Sequence, residues 1–391
     1  MRKAVIVIGS NYGDEGKGLA AAHFAGENGA ECLNILINGG AQRGHTVEDE
    51  RGRRHVFHHF GSAALKGAVS CADEDYIVNP MLYCIEREEL QRGFGLEPAL
   101  IISDGCRVST PWDMMLGQII EENRGRARHG SCGCGIQETR LRYLNTDWAL
   151  RFGQLKCLSK ADYDDYCRRI VEEYVPERLN ALGMTADEEW QRILRNPGVK
   201  EHAWQDLQTL IHHTGSYADW VETAKDWPVL LFEAGQGLAL DQDNMEDFPH
   251  LTPSHTTSLI SAKRIAALPG QTDTEVVYVT RTYFTRHGAG PFPTECGKDA
   301  INPDMMDYTN MPNPHQHTLR YGRFDGQAMM KRVDADRQRT AAVLPDIRSA
   351  VLVTHLNETG GALCGEMALK ELTARFEKAY LSDSPLRVYT M

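Results

Sequence analysis

The chain has 391 residues, 42% of them hydrophobic, enough to bury a sizeable core as one large domain or as a core with insertions. A formal net charge of −12 and the lack of a long Lys/Arg run exclude extended binding to a nucleic-acid backbone and leave room only for a local phosphate pocket. The N-terminus runs straight into a strand-like segment and no apolar stretch of about 18 residues follows, so neither secretion nor membrane insertion is expected.

Short β-branched runs at Ala4–Ile8, Cys32–Ile37, Leu100–Ser103, Val229–Phe232, Glu275–Thr280 and Ala350–Thr354 are separated by helical patterns or long connections, as in a mainly parallel sheet. Helical spacing of apolar residues marks Gly16–Asn28, Met81–Arg92, Trp112–Asn123, Ala161–Leu182 and Phe324–Ala342. The expected fold is therefore α/β, with flanking helices on a mainly parallel central sheet. From about 140 to 226 the pattern is almost wholly helical, with no strand run before Val229, and reads as an insertion in a single domain spanning 1–391. The long irregular segment Pro291–Tyr321, rich in Pro, Asn and His, reads as a binding loop. Ten cysteines lie scattered, and the close pair Cys132 and Cys134 sits in a glycine-rich stretch without metal-type spacing, which fits a reduced, cytoplasmic setting.

The first strand opens into Gly9-Ser10-Asn11-Tyr12-Gly13-Asp14-Glu15-Gly16-Lys17-Gly18 at the start of a helix. Glycines allow backbone N–H groups to turn toward a phosphate, a helix N-terminus favours negative charge, and Lys17 adds a mobile cation, which makes a P-loop-like nucleotide site. The spacing is not the usual G-x-x-x-x-G-K-[ST], because Gly18 stands where a hydroxyl residue is expected. Asp14 and Glu15 would repel phosphate unless a metal ion or a proton transfer gives them a role; the alternative is a plain strand-to-helix turn with solvated acids.

The order G-D-E-G-K-G after a strand resembles the opening of the adenylosuccinate synthetase family, and further matches follow in order. Asn38-Gly39-Gly40-Ala41-Gln42-Arg43-Gly44-His45-Thr46-Val47 resembles that family's second loop. Phe232-Glu233-Ala234-Gly235-Gln236-Gly237 with Asp241, and Leu251-Thr252-Pro253-Ser254-His255-Thr256-Thr257, are similar to its central signature. Gly288-Ala289-Gly290-Pro291-Phe292-Pro293-Thr294-Glu295, Arg320-Tyr321-Gly322-Arg323-Phe324-Asp325 and Val353-Thr354-His355-Leu356-Asn357 resemble its later elements.

The resemblance implies a ligase that joins L-aspartate to C6 of a purine nucleoside monophosphate at the expense of a nucleoside triphosphate, with Mg²⁺ as cofactor. It gives Asp14 the roles of base and metal ligand, His45 that of general acid, and Gln236 that of holding the base edge near O6. Gly44 would offer Mg²⁺ a carbonyl. Gly13, Glu15, Gly16, Lys17, Gly18, Thr46, Asn357 and Pro385 would meet the triphosphate nucleotide. Asn11, Gln42, Ser131, Cys132, Gln236 and Thr252 would meet the monophosphate, and Arg140 or Arg142 would reach it across a homodimer. Thr318 and Arg320 would take the aspartate.

Departures from the family concern specificity. Asn357 stands where an aspartate accepts hydrogen bonds from guanine; an amide offers both a donor and an acceptor, which suits adenine better, so ATP or dATP is favoured over GTP. The aspartate loop, Pro312-Asn313-Pro314-His315-Gln316-His317-Thr318-Leu319-Arg320, is poor in arginine. Cys132 replaces a threonine beside the nucleotide phosphate, and Gln137-Glu138-Thr139 also departs from the common pattern. Together they resemble the phage-type branch, the 2-amino-2′-deoxyadenylosuccinate synthases, which use dGMP on the way to 2-aminoadenine DNA. The ordinary enzyme, taking IMP and GTP, is the alternative. A non-catalytic nucleotide sensor would need neither Asp14 nor His45, and a P-loop GTPase switch is weakened by Gly18 and Asn357.

Overall fold

The computed structural model describes residues 1–26, 29–305 and 318–391. Its centre is a ten-stranded sheet. In chain order its strands are β1 (Arg2–Gly9), β2 (Cys32–Leu36), β3 (Val69–Ala72), β4 (Leu100–Ser103), β5 (Gly215–Tyr217), β6 (Val229–Gly237), β7 (Thr272–Arg281), β8 (Arg348–Thr354), β9 (Lys378–Ser384) and β10 (Arg387–Thr390). In space they run β5-β4-β3-β2-β6-β1-β7-β8-β9-β10. The β9–β10 pair is antiparallel and the other neighbours are parallel.

β1 shows why the central strands read as continuous apolar runs. Ala4, Ile6 and Ile8 enter one hydrophobic cluster, while Val5 and Val7 enter another with Ala20, Ala21 and Phe24 of the helix Lys17–Phe24. Both sheet faces are covered, so alternation of polar and apolar residues is lost. Each fully buried Ile or Val contributes roughly 1.5–3 kcal/mol.

The helices start and stop where their caps dictate. Asn79 accepts from the Leu82 amide ahead of Pro80–Phe94, which ends at Gly95 with φ 67°. Thr110 and Asp113 form a capping box ahead of Pro111–Arg124. The span expected as one helix, Ala161–Leu182, is divided by a π-turn at Ile170–Tyr174. Pro176 lacks the N–H that would bond to the Glu172 carbonyl, which accounts for the local widening.

The wholly helical reading of 140–226 is corrected by β5, which pairs with β4 in parallel. Three residues with one buried side chain leave almost no strand signal. Side chains from this stretch, among them Phe152, Tyr163, Ile170 and Leu207, share one hydrophobic cluster with Leu36, Ala72 and Ile102 of the sheet. β3, β9 and β10 also escaped the sequence reading. Among the described residues no helix is long and apolar enough to cross a membrane. All ten cysteines are free.

Candidate functional site

Parallel strands bring their C-terminal ends to one edge of the sheet, and the loops that leave β1, β2, β7, β8 and β9 enclose a cleft of about 390 Å³ there. Asp14, Glu15, Gly16, Lys17, Gly18, Gly44, His45, Thr46, Asn357 and Pro385, expected from separate segments of sequence, all line it. Arg281, Tyr283, His355 and Glu358 line it too, and the sequence reading missed them. Arg281 closes a strand that was recognised only over Glu275–Thr280, one residue short of its C-terminal end; that end of a parallel strand was the available signal.

The first turn of the helix Lys17–Phe24 has Gly16 at its N-cap, with φ 94° and no side-chain hydrogen bond. Its leading N–H groups are thus not claimed by a side-chain cap, as an anion site requires. Gly18 follows Lys17 because a Cβ there would lie 2.6 Å from the Thr46 carbonyl oxygen. The helix start is pressed against the strand His45–Glu48, which explains the missing hydroxyl residue. Lys17 is 3% exposed and meets Glu15 at 3.5 Å. Burial raises the Glu15 carboxyl above its usual range in spite of Lys17.

His45 is fixed from behind. Its Nδ1 lies 2.6 Å from Glu233 Oε1, which also accepts from Arg43 Nη2 at 2.6 Å, while the Ser62 amide donates to Oε2 at 3.0 Å. Burial opposes the charge on Glu233, but Arg43, His45 and Ser62 outweigh it and hold the carboxyl at about 2. Burial and then Arg43 push His45 down to about 3. An ionised carboxylate only accepts, so a neutral His45 carries its proton on Nδ1 and keeps Nε2 for another partner.

Asp14 has φ 59°, and its carboxylate accepts from Arg281 Nη2 at 2.7 Å. Among the described residues, the non-glycine positions with positive φ are Asp14, Gln236 and His355. Asp14 and His355 line the cleft, and Gln236 abuts the same loop, since a Cβ at Gly13 would lie 3.5 Å from its Cα. Strained backbone of this kind concentrates at functional sites.

A second group of residues lies beside the cleft. Gln42 Nε2 and Oε1 and Gln236 Oε1 are buried and unpartnered, and a Cβ at Gly39 would stand 3.1 Å from Gln42 Nε2 and 3.3 Å from Gln236 Oε1. Two amides converge on one spot with bonds left to make. A Cβ at Gly40 would meet Ile136 at 2.8 Å, tying this spot to the loop that carries Ser131 and Cys132. Thr252 is buried, and its segment is fastened by Asp241, whose Oδ2 accepts from the Thr256 amide at 2.6 Å. Among the described residues one set could hold a metal by proximity alone, Asp241, Asp243 and His255, but those Asp241 oxygens already accept from Thr256 and from the Asp243 amide.

Other expected site residues are placed differently. Arg142 is corrected: it is 1% exposed, and its five N–H donors go to both Asp113 oxygens, the Trp148 and Val108 carbonyls and the Tyr166 hydroxyl. With no donor left and no path to the surface, it cannot reach a nucleotide across a dimer. Asn11 is buried, and its amide is engaged by Thr280 and Arg332. Arg320 is paired with Glu295 at 2.5 Å, and Thr318 is exposed. The expected aspartate loop from Pro312 to His317 lies outside the described residues.

A phosphate-type loop, a buried lysine and two acids gather on the C-terminal edge of the mostly parallel sheet of an α/β protein, the edge where such folds hold their ligands. Residues 6–339 match the sequence model of the family described as Adenylosuccinate synthetase, and the chain belongs to that family. The adenylosuccinate synthetase of Chromohalobacter salexigens is 30% identical over 305 residues, covering 75% of this chain and 65% of its own length. That of Nitrosococcus oceani is 28% identical over 309 residues, 76% of this chain and 66% of its own length. The matches thus span just under two thirds of these curated relatives.

Two solved structures share the fold. The fully ligated adenylosuccinate synthetase from Plasmodium falciparum aligns with a TM-score of 0.67 at 18% identity, over 90% of this chain and 77% of that one. The cyanophage S-2L succinoaminodeoxyadenylate synthetase, bound to dGMP and dATP as an energy donor, aligns with a TM-score of 0.64 at 15% identity, over 100% and 95%.

Proposed function

We propose that the chain is a ligase that joins L-aspartate to C6 of a purine nucleoside monophosphate, driven by a nucleoside triphosphate. The observation that carries this reading is the convergence of Asp14, Lys17, Gly44, His45 and Asn357 on one cleft. A purine C6 oxygen is a poor leaving group until it is phosphorylated. In the first step Asp14 takes the N1 proton while O6 attacks the γ-phosphorus and the nucleoside diphosphate leaves. In the second, the aspartate amine forms its bond to C6, phosphate departs and the amine loses its extra protons.

Lys17 and the first-turn amides of its helix meet the phosphates, and His45, held at Nδ1 by Glu233, serves the transferring oxygens as an imidazolium once Nε2 takes up a proton with the incoming anionic nucleotide. Gln236 and Gln42 hold the monophosphate substrate, their unpartnered amide ends supplying both donors and acceptors. The Asp14 carboxylate and the Gly44 carbonyl are hard oxygen donors on the same wall and suit Mg²⁺, which would neutralise charge on the triphosphate. Aspartate falls to Thr318 and Arg320, the latter after leaving Glu295.

For the substrates we favour dGMP with ATP or dATP, giving 2-amino-2′-deoxy-N6-succinyladenylate. Asn357 supports an adenine donor, and the fold shared with the dGMP- and dATP-bound cyanophage enzyme supports the pair. IMP with GTP is the second reading, supported by the curated relatives. A homodimer in the cytoplasm, that of the host if the chain is phage-encoded, completes the proposal, with Arg140 now the candidate to cross the interface. Phosphate release with Mg²⁺ and L-aspartate, across IMP, GMP and dGMP against GTP, ATP and dATP, tests it. Turnover of dGMP with ATP or dATP is expected; turnover only of IMP with GTP overturns the specificity, and none at all overturns the activity.

A further inference from the structure

The cleft is internally paired. Lys17 meets Glu15 at 3.5 Å, Arg54 meets Glu48 at 3.6 Å and Arg281 meets Asp14 at 2.7 Å, each pair lying in the cleft wall. Glu358 adds a further carboxylate, so the wall holds more acids than lysines and arginines before any ligand arrives. A polyanion enters such a wall only if cations are released toward it and the acids find other partners.

Arg281 is built for that exchange. Its Nη2 donates to Asp14 Oδ2 at 2.7 Å and its Nε to the Asp14 carbonyl at 2.5 Å, so two donors grip one residue. The remaining edge is anchored elsewhere: Nη1 donates to the Tyr283 hydroxyl at 2.8 Å, and Tyr283 donates to Glu358. The guanidinium also lies 5.5 Å from the Tyr283 ring centroid, and its side chain is only 8% exposed. Turning about the Tyr283-held edge would leave that bond intact and present Nε and Nη2 to phosphate oxygens, the planar fork that suits them.

We propose that Arg281 is a triphosphate-binding residue parked on Asp14 in the empty protein, so that divalent cation and nucleotide enter together. Asp14 passes to the cation, and the freed guanidinium turns to the phosphates. The inference rests on reading the cleft as a nucleoside-triphosphate site.

The test uses the full chain and its Arg281→Met, Arg281→Lys and Asp14→Asn variants, with folding checked by thermal unfolding. Mn²⁺ binding to the nucleotide-free protein is followed by paramagnetic resonance, and ATP binding in saturating Mg²⁺ by calorimetry. Arg281→Met is expected to tighten Mn²⁺ binding several-fold, because Asp14 loses its competitor, and to weaken ATP binding at least about tenfold. Arg281→Lys keeps the charge but cannot hold the Asp14 carboxylate and the Asp14 carbonyl together; it should also tighten Mn²⁺ binding while losing less ATP affinity. Asp14→Asn should remove the Mn²⁺ site that the others strengthen. A purely architectural Arg281 would weaken both ligands together, and that result, or unchanged affinities, overturns the proposal. If the unaltered chain binds no ATP and releases no phosphate, the triphosphate reading fails, while the Mn²⁺ titration still decides whether Arg281 competes for Asp14.

Discussion

Glu233 Oε1 stands 2.6 Å from both His45 Nδ1 and Arg43 Nη2, with Arg43 and Glu233 wholly buried. One carboxylate thus fixes the tautomer and direction of an imidazole while neutralising a guanidinium. Glu233→Gln keeps the shape but can present its NH₂ to Nδ1, inverting the tautomer. A kcat lower by about a hundredfold or more is expected, with KM for the nucleotides within a few-fold. Steady-state kinetics across the series checks it; a changed KM with an unchanged kcat would contradict the orienting role.

The same carboxylate sets an acid limit. Glu233 is held at about 2 against an ordinary value of 4.5. A depressed folded value means that the unfolded chain binds the proton first as pH falls. The contribution is present above pH about 4.5 and is lost as pH drops toward 2, on the order of a few kcal/mol. Unfolding midpoints measured from pH 7 to 3 should fall most steeply below about 4.5, and Glu233→Gln should flatten that part of the curve.

Arg142 and Arg140 separate stability from binding. Arg142→Met leaves Asp113 buried without its cation and should cost about 3–5 kcal/mol in denaturant unfolding. Arg140→Ala should leave stability within about 0.5 kcal/mol and raise KM for the purine monophosphate. Reversed outcomes would restore Arg142 to the nucleotide site.

Asn357 lines the cleft beside His355 and Glu358. Asn357→Asp replaces an amide with two acceptor oxygens, and the ratio of kcat/KM for ATP over GTP should fall roughly tenfold or more. An unmoved ratio would take donor choice away from this residue.

The phosphate loop, with Asp14 and Lys17, was legible in the sequence because it depends on backbone freedom and residue type within a few positions. His45 and Asn357 were singled out by the family resemblance of the motifs around them. Arg281 and Tyr283 were hidden because their roles arise from strand order: β7 lies next to β1, and only that adjacency sets Arg281 against Asp14. Arg142 misled because an arginine two turns after a glycine-rich loop looks available in sequence, whereas Asp113, its partner, sits 29 residues earlier. Six strands of the sheet were readable from long β-branched runs. β5 and β10 are short, with mostly exposed or half-exposed side chains, and gave no periodic signal.

The left-handed residues of the site bear on how this chain would respond to selection for heat resistance. Asp14, Gln236 and His355 have φ of 59°, 54° and 61°, a geometry that glycine adopts without cost. Of order 1–3 kcal/mol is held at each. A thermal screen without an activity filter would therefore drift toward glycine at these positions, and the hardiest survivors would be those least able to turn over substrate.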